Sequence, residues 1–335
     1  MPAVSTLTSR LRLATLAAVC TGAVALPVAS ASAFTCHGLT ATVVGTPGDD
    51  TNLQGTPGDD VIVGLAGNDT IDGLGGNDTI CGNQDDPTKT LADGTNTIHG
   101  SDGDDVIIGG NGVDNIFGDA GNDHITGLKN NDVINTGTGD DFAYGMDGND
   151  QITDGGGSDK INGAAGADTI TDNIGTEADQ LEGGIGNDTI KSGGGLDILR
   201  GNDNADTMSV LAGAPVSDVT MYGGKGLDVM TGGAGNDDLE GYNDSDTITG
   251  GAGDDKILGG AGDDTLNGGD GNDTINAGPG IDKVDGGNND DQIRARDLQA
   301  DKSLNCGSGA DEIWMDLETV DPPSIVLGCE IQHRS

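Results

Sequence analysis

Aspartate recurs in this chain at a fixed place, with a glycine two residues before it and an aliphatic residue two residues after it. The frame Gly-x-Asp-x-apolar-x-Gly-Gly-x repeats every nine residues, nearly unchanged in GDDKILGGA from Gly253, GDDTLNGGD from Gly262 and GNDTINAGP from Gly271. Carboxylates set in this way suit a hard cation. Calcium takes roughly six to eight oxygens at about 2.3 to 2.6 Å, drawn from carboxylates and backbone carbonyls. The glycines supply the second kind of ligand, because a residue without a Cβ tolerates positive φ and close backbone approach, so a tight loop can turn its carbonyls toward one point.

The elements that position these loops follow from the same period. The phase runs upstream through Gly67, Gly76, Gly103, Gly112, Gly121, Gly139, Gly148 and Gly157, so that repeats cover about three quarters of the chain. Each unit reads as a glycine-rich loop followed by a strand of about three residues, whose middle aliphatic residue points inward, as at Ile71, Ile107, Ile152, Ile257 or Leu266. One unit carries the chain across and a second returns it, which makes an 18-residue coil in which loops stack two repeats apart. About 14 coils at roughly 4.8 Å each would extend on the order of 65 Å around a narrow aliphatic column. A glycine-rich linker would not need an Asp and an aliphatic residue locked in one phase.

The frame has irregularities. Asp85 to Asp93 keeps the count of nine with Pro87 in the Asp place, and is expected to hold a coil position without a site; Gly94 then restarts a copy with Asn96 in that place. Asn130 and Asn204 replace opening glycines, and Ala143 stands in an apolar place. Insertions of about two residues near Gly175 and Thr176, and about four within Gly213 to Val216, are expected to form small surface loops.

The frame resembles the repeat-in-toxin, or haemolysin-type, calcium-binding repeats in their β-roll form. That resemblance implies an all-β fold, a right-handed parallel β-roll loaded with several Ca2+ ions, in which the Asp of each unit is a ligand. It carries to Asp60, Asp69, Asp78, Asp105, Asp114, Asp123, Asp150, Asp159, Asp188, Asp237, Asp255, Asp264 and Asp273, and to the remaining copies at Asp132, Asp141, Asp168, Asp197, Asp228, Asp246 and Asp282. It does not extend to Pro87 or Asn96. Members of the family often use a C-terminal export signal, whereas this chain begins with an N-terminal one, and so it is more similar to the exported calcium-binding proteins of actinobacteria.

Composition agrees with a cation as the missing component. Gly fills 62 of 335 positions and aromatic residues only 2%, so little apolar surface is available to offset chain entropy. Asp and Glu total 57 against 14 Lys and Arg, a formal net charge of -43. Such self-repulsion opposes a compact state unless counter-ions enter it. It also excludes nucleic acid and anionic lipid as partners, since no basic patch exists to displace their counterions.

Residues 1–33 read as a cleaved secretory signal: Arg10 and Arg12 precede an apolar run from Leu13 to about Val28 that ends in Ala31-Ser32-Ala33. The run is short for a membrane span, Val19 before Cys20 does not fit a lipobox, and Leu11 separates the two arginines of what would otherwise suggest twin-arginine export. Secretion to the extracellular space is expected. Cleavage leaves Cys36, Cys81, Cys306 and Cys329 in an oxidising compartment, and their placement favours Cys36 with Cys81 and Cys306 with Cys329 over the other two connectivities. Residues 34–47, with a strand from Thr40 to Val44, form an N-terminal cap, residues 48–294 the repeats, and residues 295–335, with Trp314 and Pro322-Pro323, a C-terminal cap.

Catalytic signatures are absent: there is no HExxH, GxSxG or P-loop, and His37, His99, His124 and His333 lie far apart. Paired carboxylates such as Asp263-Asp264 belong to the repeat rather than to a glycosidase pair. The chain therefore reads as a non-enzymatic structural or interaction module. Two alternatives stand beside it: a solenoid adhesin or ice-binding protein, which would need an unbroken row of Thr on one face, and a polysaccharide-acting solenoid enzyme, which would need more basic residues.

Overall fold

The computed structural model describes residues 34–83, 94–173, 175–316 and 326–334. Residues 1–33, Asp85 to Asp93 with Pro87, and Pro322-Pro323 lie outside them. One nonapeptide has a single inward apolar residue and cannot enclose a core, so its strand must pair with copies of itself. Among the described residues, successive strands alternate between two parallel sheets, one of 15 strands and one of 16. Partners lie two repeats apart, as in Lys256↔Thr274, Ile257↔Ile275 and Leu258↔Asn276. The expected all-β parallel β-roll of 18-residue coils is the fold of the chain.

The core is a double file of aliphatic side chains, one from each strand. Ile62, Ile71, Ile80, Ile98, Ile107 and Ile116 begin it, Ala143 and Met208 continue it, and all are fully buried. Removing each such Ile or Leu from water contributes roughly 1.5 to 3 kcal/mol. Many strands are longer than the expected three residues. Thr247–Ala252, Lys256–Ala261 and Thr265–Asp270 each span six, because Gly251↔Gly269 and Ala252↔Asp270 also pair across the stacked loops.

The register places both expected insertions. Lys160 pairs with Gln180, 20 residues on, and Ile198 with Thr220, 22 residues on. The expectation for Asp85 to Asp93 falls outside the described residues. On either side of them Thr70 pairs directly with Thr97 and Thr79 with Val106, each 27 residues on.

At the amino end, Thr35–Cys36 and Leu39–Thr40 form an antiparallel pair, and Val43–Val44 joins the 16-stranded sheet beside Ile62 and Val63. The expected single strand from Thr40 to Val44 is thus divided. Cys36 is bonded to Cys81 above a small cluster of Ala41, Val63 and Leu65. At the other end, Ser303–Asn305, Glu312–Met315, Val326–Leu327 and Ile331–Arg334 prolong the two sheets, and Cys306 is bonded to Cys329. Among the described residues no helix is long and apolar enough to cross a membrane.

Candidate metal centre

Because coils stack in register, the aspartates fall into two straight ladders, one along each edge of the roll. In the first stand Asp69, Asp114, Asp132, Asp150, Asp168, Asp188, Asp228, Asp246, Asp264 and Asp282; in the second stand Asp60, Asp78, Asp105, Asp123, Asp141, Asp159, Asp197, Asp237, Asp255 and Asp273. All are buried. Along each ladder the backbone N–H of one Asp donates to Oδ1 of the Asp one coil further on, as from Asp237 to Asp255 and from Asp246 to Asp264, both at 2.8 Å.

The second carboxylate oxygen has no such donor. Oδ2 of Asp69, Asp78, Asp123, Asp246, Asp255 and Asp264 is buried and accepts no hydrogen bond. A buried carboxylate oxygen without a donor or cation is strongly disfavoured. The glycine opening each loop shows what surrounds it: a Cβ at Gly250 would collide with both Asp255 Oδ2 and the Gly268 carbonyl, and one at Gly259 with Asp264 Oδ2 and the Ala277 carbonyl. Oxygens of two neighbouring loops therefore converge on one small space. Oxygen-only, anionic and free of donors, this set fits a hard cation such as calcium.

Electrostatics agree. Burial pushes the Asp69 carboxyl up to about 6 and those of Asp123 and Asp132 up to about 8, with neighbouring carboxylates adding to it. Asp60, in the first coils, differs: although burial raises its pKa, hydrogen bonds from the Thr56 backbone and side chain and from Thr42 bring it below the usual value, so protein donors take up its oxygens.

Two residues interrupt the ladders. Asn96 keeps the Oδ1 bond from Asp69 N–H but turns Nδ2 toward Gly82, where the other loops present an oxygen. Val219 stands in the second ladder, donating its N–H to Asp237 Oδ1 and offering no acceptor in return. Other members were missed by the sequence reading. Asp179, Asp206 and Asp291 take full ladder places, and Asp301 and Asp311 continue the ladders beyond residue 294. An apolar residue two places on (Leu181, Met208, Ile293, Ile313) was the available signal for all but Asp301.

The residue before the ladder Asp is mostly exposed but not idle. Asp263 Oδ1 accepts the Ile281 N–H at 3.0 Å, and Asn236 Oδ1 the Asp254 N–H at 2.8 Å. This outer ladder runs in the opposite direction to the inner one, which explains the Asn and Asp found there.

A parallel solenoid with donor-free carboxylate oxygens along both edges is a cation-binding repeat protein in its architecture. The model of the RTX calcium-binding nonapeptide repeat matches residues 54–88, 92–125, 108–143, 135–170, 174–208, 220–248, 240–275 and 267–297, and the chain belongs to this family. No curated protein matches it.

Proposed function

We propose that this protein is a secreted structural or interaction module whose Asp ladders bind Ca2+ between stacked loops and which completes its folding as they do. The observation that carries this reading is the row of buried Oδ2 atoms without donors on both edges. Calcium, when bound, supplies the positive charge that the chain lacks. Asp69, Asp78, Asp105 and their ladder neighbours would hold the ions through Oδ2, together with carbonyls of the glycine loops, while Oδ1 holds the next coil in register. Export is supported by the signal-like features of residues 1–33 and by two disulfides, one at each end. Residues 34–47 and 295–335 would then close the ends of the roll.

The test is circular dichroism with calcium titration calorimetry. A largely disordered chain in chelator that gains β signal in millimolar calcium supports the reading. Equal β signal in both states sinks it. Export is tested by N-terminal sequencing of the protein from culture medium, which should begin at Phe34.

The ice-binding alternative needs an unbroken Thr row. The 15-stranded sheet carries Thr169, Thr189 and Thr207 in file, but Gln151 and Val229 bound them. This favours the structural reading, in which the protein is not an enzyme.

A further inference from the structure

In the second ladder, the residue five places before the ladder Asp is glycine at Gly73, Gly100, Gly118, Gly232, Gly250 and Gly268, and in the first ladder it is glycine in every loop from Gly109 through Gly259. Five consecutive loops of the second ladder break this rule, the last with Val210 beside Ser192. In the first four, Thr136, Asp154, Asp172 and Ser192 stand there instead, each bearing a side-chain oxygen and each buried. Thr136, Asp154 and Asp172 keep the backbone pairing of the column, donating to the carbonyls of Thr153, Thr171 and Lys191.

Their carboxylates join those of the ladder. Ligand oxygens of Asp154, Asp159 and Asp179 lie within 4.8 Å of one another, and so do those of Asp172, Asp179 and Asp197. Asp179 is common to both groups. A second observation points to a ligand: Asp154 is fully buried, its Oδ1 accepts the Gly156 N–H at 2.8 Å and the Thr136 hydroxyl at 3.4 Å, yet its Oδ2 receives no donor, and neither does Asp159 Oδ2. Among the described residues no Lys, Arg or His forms an ion pair with any of the five.

We propose that Asp154, Asp159, Asp172, Asp179 and Asp197 form a distinct cation centre in the middle of the second ladder, taking hard, oxygen-seeking ions of the calcium class in two adjoining positions that share Asp179. A regular loop contributes one ladder carboxylate, whereas each position here gathers three. More anionic ligands around one cation raise its affinity, so this centre fills before the regular loops. The inference rests on the calcium reading only for the identity of the natural ion; the convergence of carboxylates stands without it.

The test uses the chain from Phe34 onward, with both disulfides, titrated with Ca2+ and separately with Tb3+ as a luminescent probe. The double variant Asp154→Gly, Asp172→Gly restores the residue found in the other loops, and Asp154→Asn, Asp172→Asn keeps the side-chain shape. Expected for both is a loss of at least about tenfold in affinity for the first ions bound, with later uptake and the β signal retained. Asp255→Asn, in a regular loop, should instead lower total uptake and leave the first ions unchanged. First-ion affinity unaltered in the folded Asn variant would overturn the proposal. If the parent chain binds no calcium, the general reading fails, but early Tb3+ binding that the Asn variant abolishes would still uphold the centre.

Discussion

The backbone N–H of Asp255 donates to Oδ1 of Asp273, one coil further on and 2.8 Å away, while Oδ2 of that same carboxylate has no donor. A ladder Asp of this kind divides its two oxygens, one holding register and one left free for the cation proposed above. Fold and binding are consequently linked at single residues.

Asp264→Ala should remove both functions, while Asp263→Ala should remove only an exposed register bond from Ile281 N–H and no buried Oδ2. Loss of Asp264 leaves the buried Asp246 N–H without its acceptor, a cost of roughly 1 to 3 kcal/mol, as well as deleting the donor-free Oδ2. Asp264→Asn separates the two: it should keep register, as the Asn96 Oδ1 does for Asp69 N–H, while lowering calcium uptake. Calorimetry decides: equal calcium loss in Asp263→Ala and Asp264→Ala would show the ligand position to be misassigned.

Val219→Asp should complete the second ladder by giving Asp197 N–H an acceptor and supplying a further Oδ2 beside its neighbours. The expected outcome is a higher melting temperature in calcium and a lower one in chelator, where the added buried charge is uncompensated. Melting in the two buffers checks both signs.

Gly250→Ala should lower calcium uptake at its loop, since the new Cβ would press on Asp255 Oδ2 and the Gly268 carbonyl. The same change at Gly48, where a Cβ meets nothing within 4 Å, should leave uptake unaltered. Paired calcium titrations of the two variants measure the difference.

Without calcium, stability should depend on pH in the direction set by burial. Asp69, Asp123 and Asp132 are raised from 3.8 to about 6, about 8 and about 8, so the folded state holds protons more tightly than the unfolded chain. Their contribution is therefore full below about pH 4 and lost as pH rises through about 6 to 8. In chelator, the β signal should be strongest in acid and fade toward neutrality. Calcium must displace these protons, so its binding should release protons and strengthen as pH rises, which calorimetry in buffers of different ionisation heat would detect.

Reducing Cys36–Cys81 should loosen the amino end alone. Closing a loop of this size contributes roughly 2 to 4 kcal/mol, and in a stacked array each coil contacts only its neighbours. Hydrogen exchange should show lost protection around Ile62 and Ile80 and unchanged protection around Ile257.

The nine-residue period, with Asp at one place and an aliphatic residue two places on, by itself determined the parallel roll, its 18-residue coil, the inward file of Ile and the identity of most ladder aspartates. It could do so because in a solenoid each unit meets copies of itself, and local spacing becomes spatial stacking without folding back at long range. Cysteine placement likewise indicated the pairing at each end. Tertiary structure decided what depends on which loop lies beside which. Thr70 stands beside Thr97, 27 residues on, a jump that the unbroken count of nine concealed. Asp179, Asp206 and Asp291 are ladder members because of where their N–H and Oδ1 groups fall, although the frame around them is degraded. Asp154 and Asp172 lie 18 residues apart and outside the Gly-x-Asp place; only the closure of coils on one edge brings them against Asp159, Asp179 and Asp197. Period sets what repeats, and the contacts between unequal neighbours set where the repeat becomes a particular site.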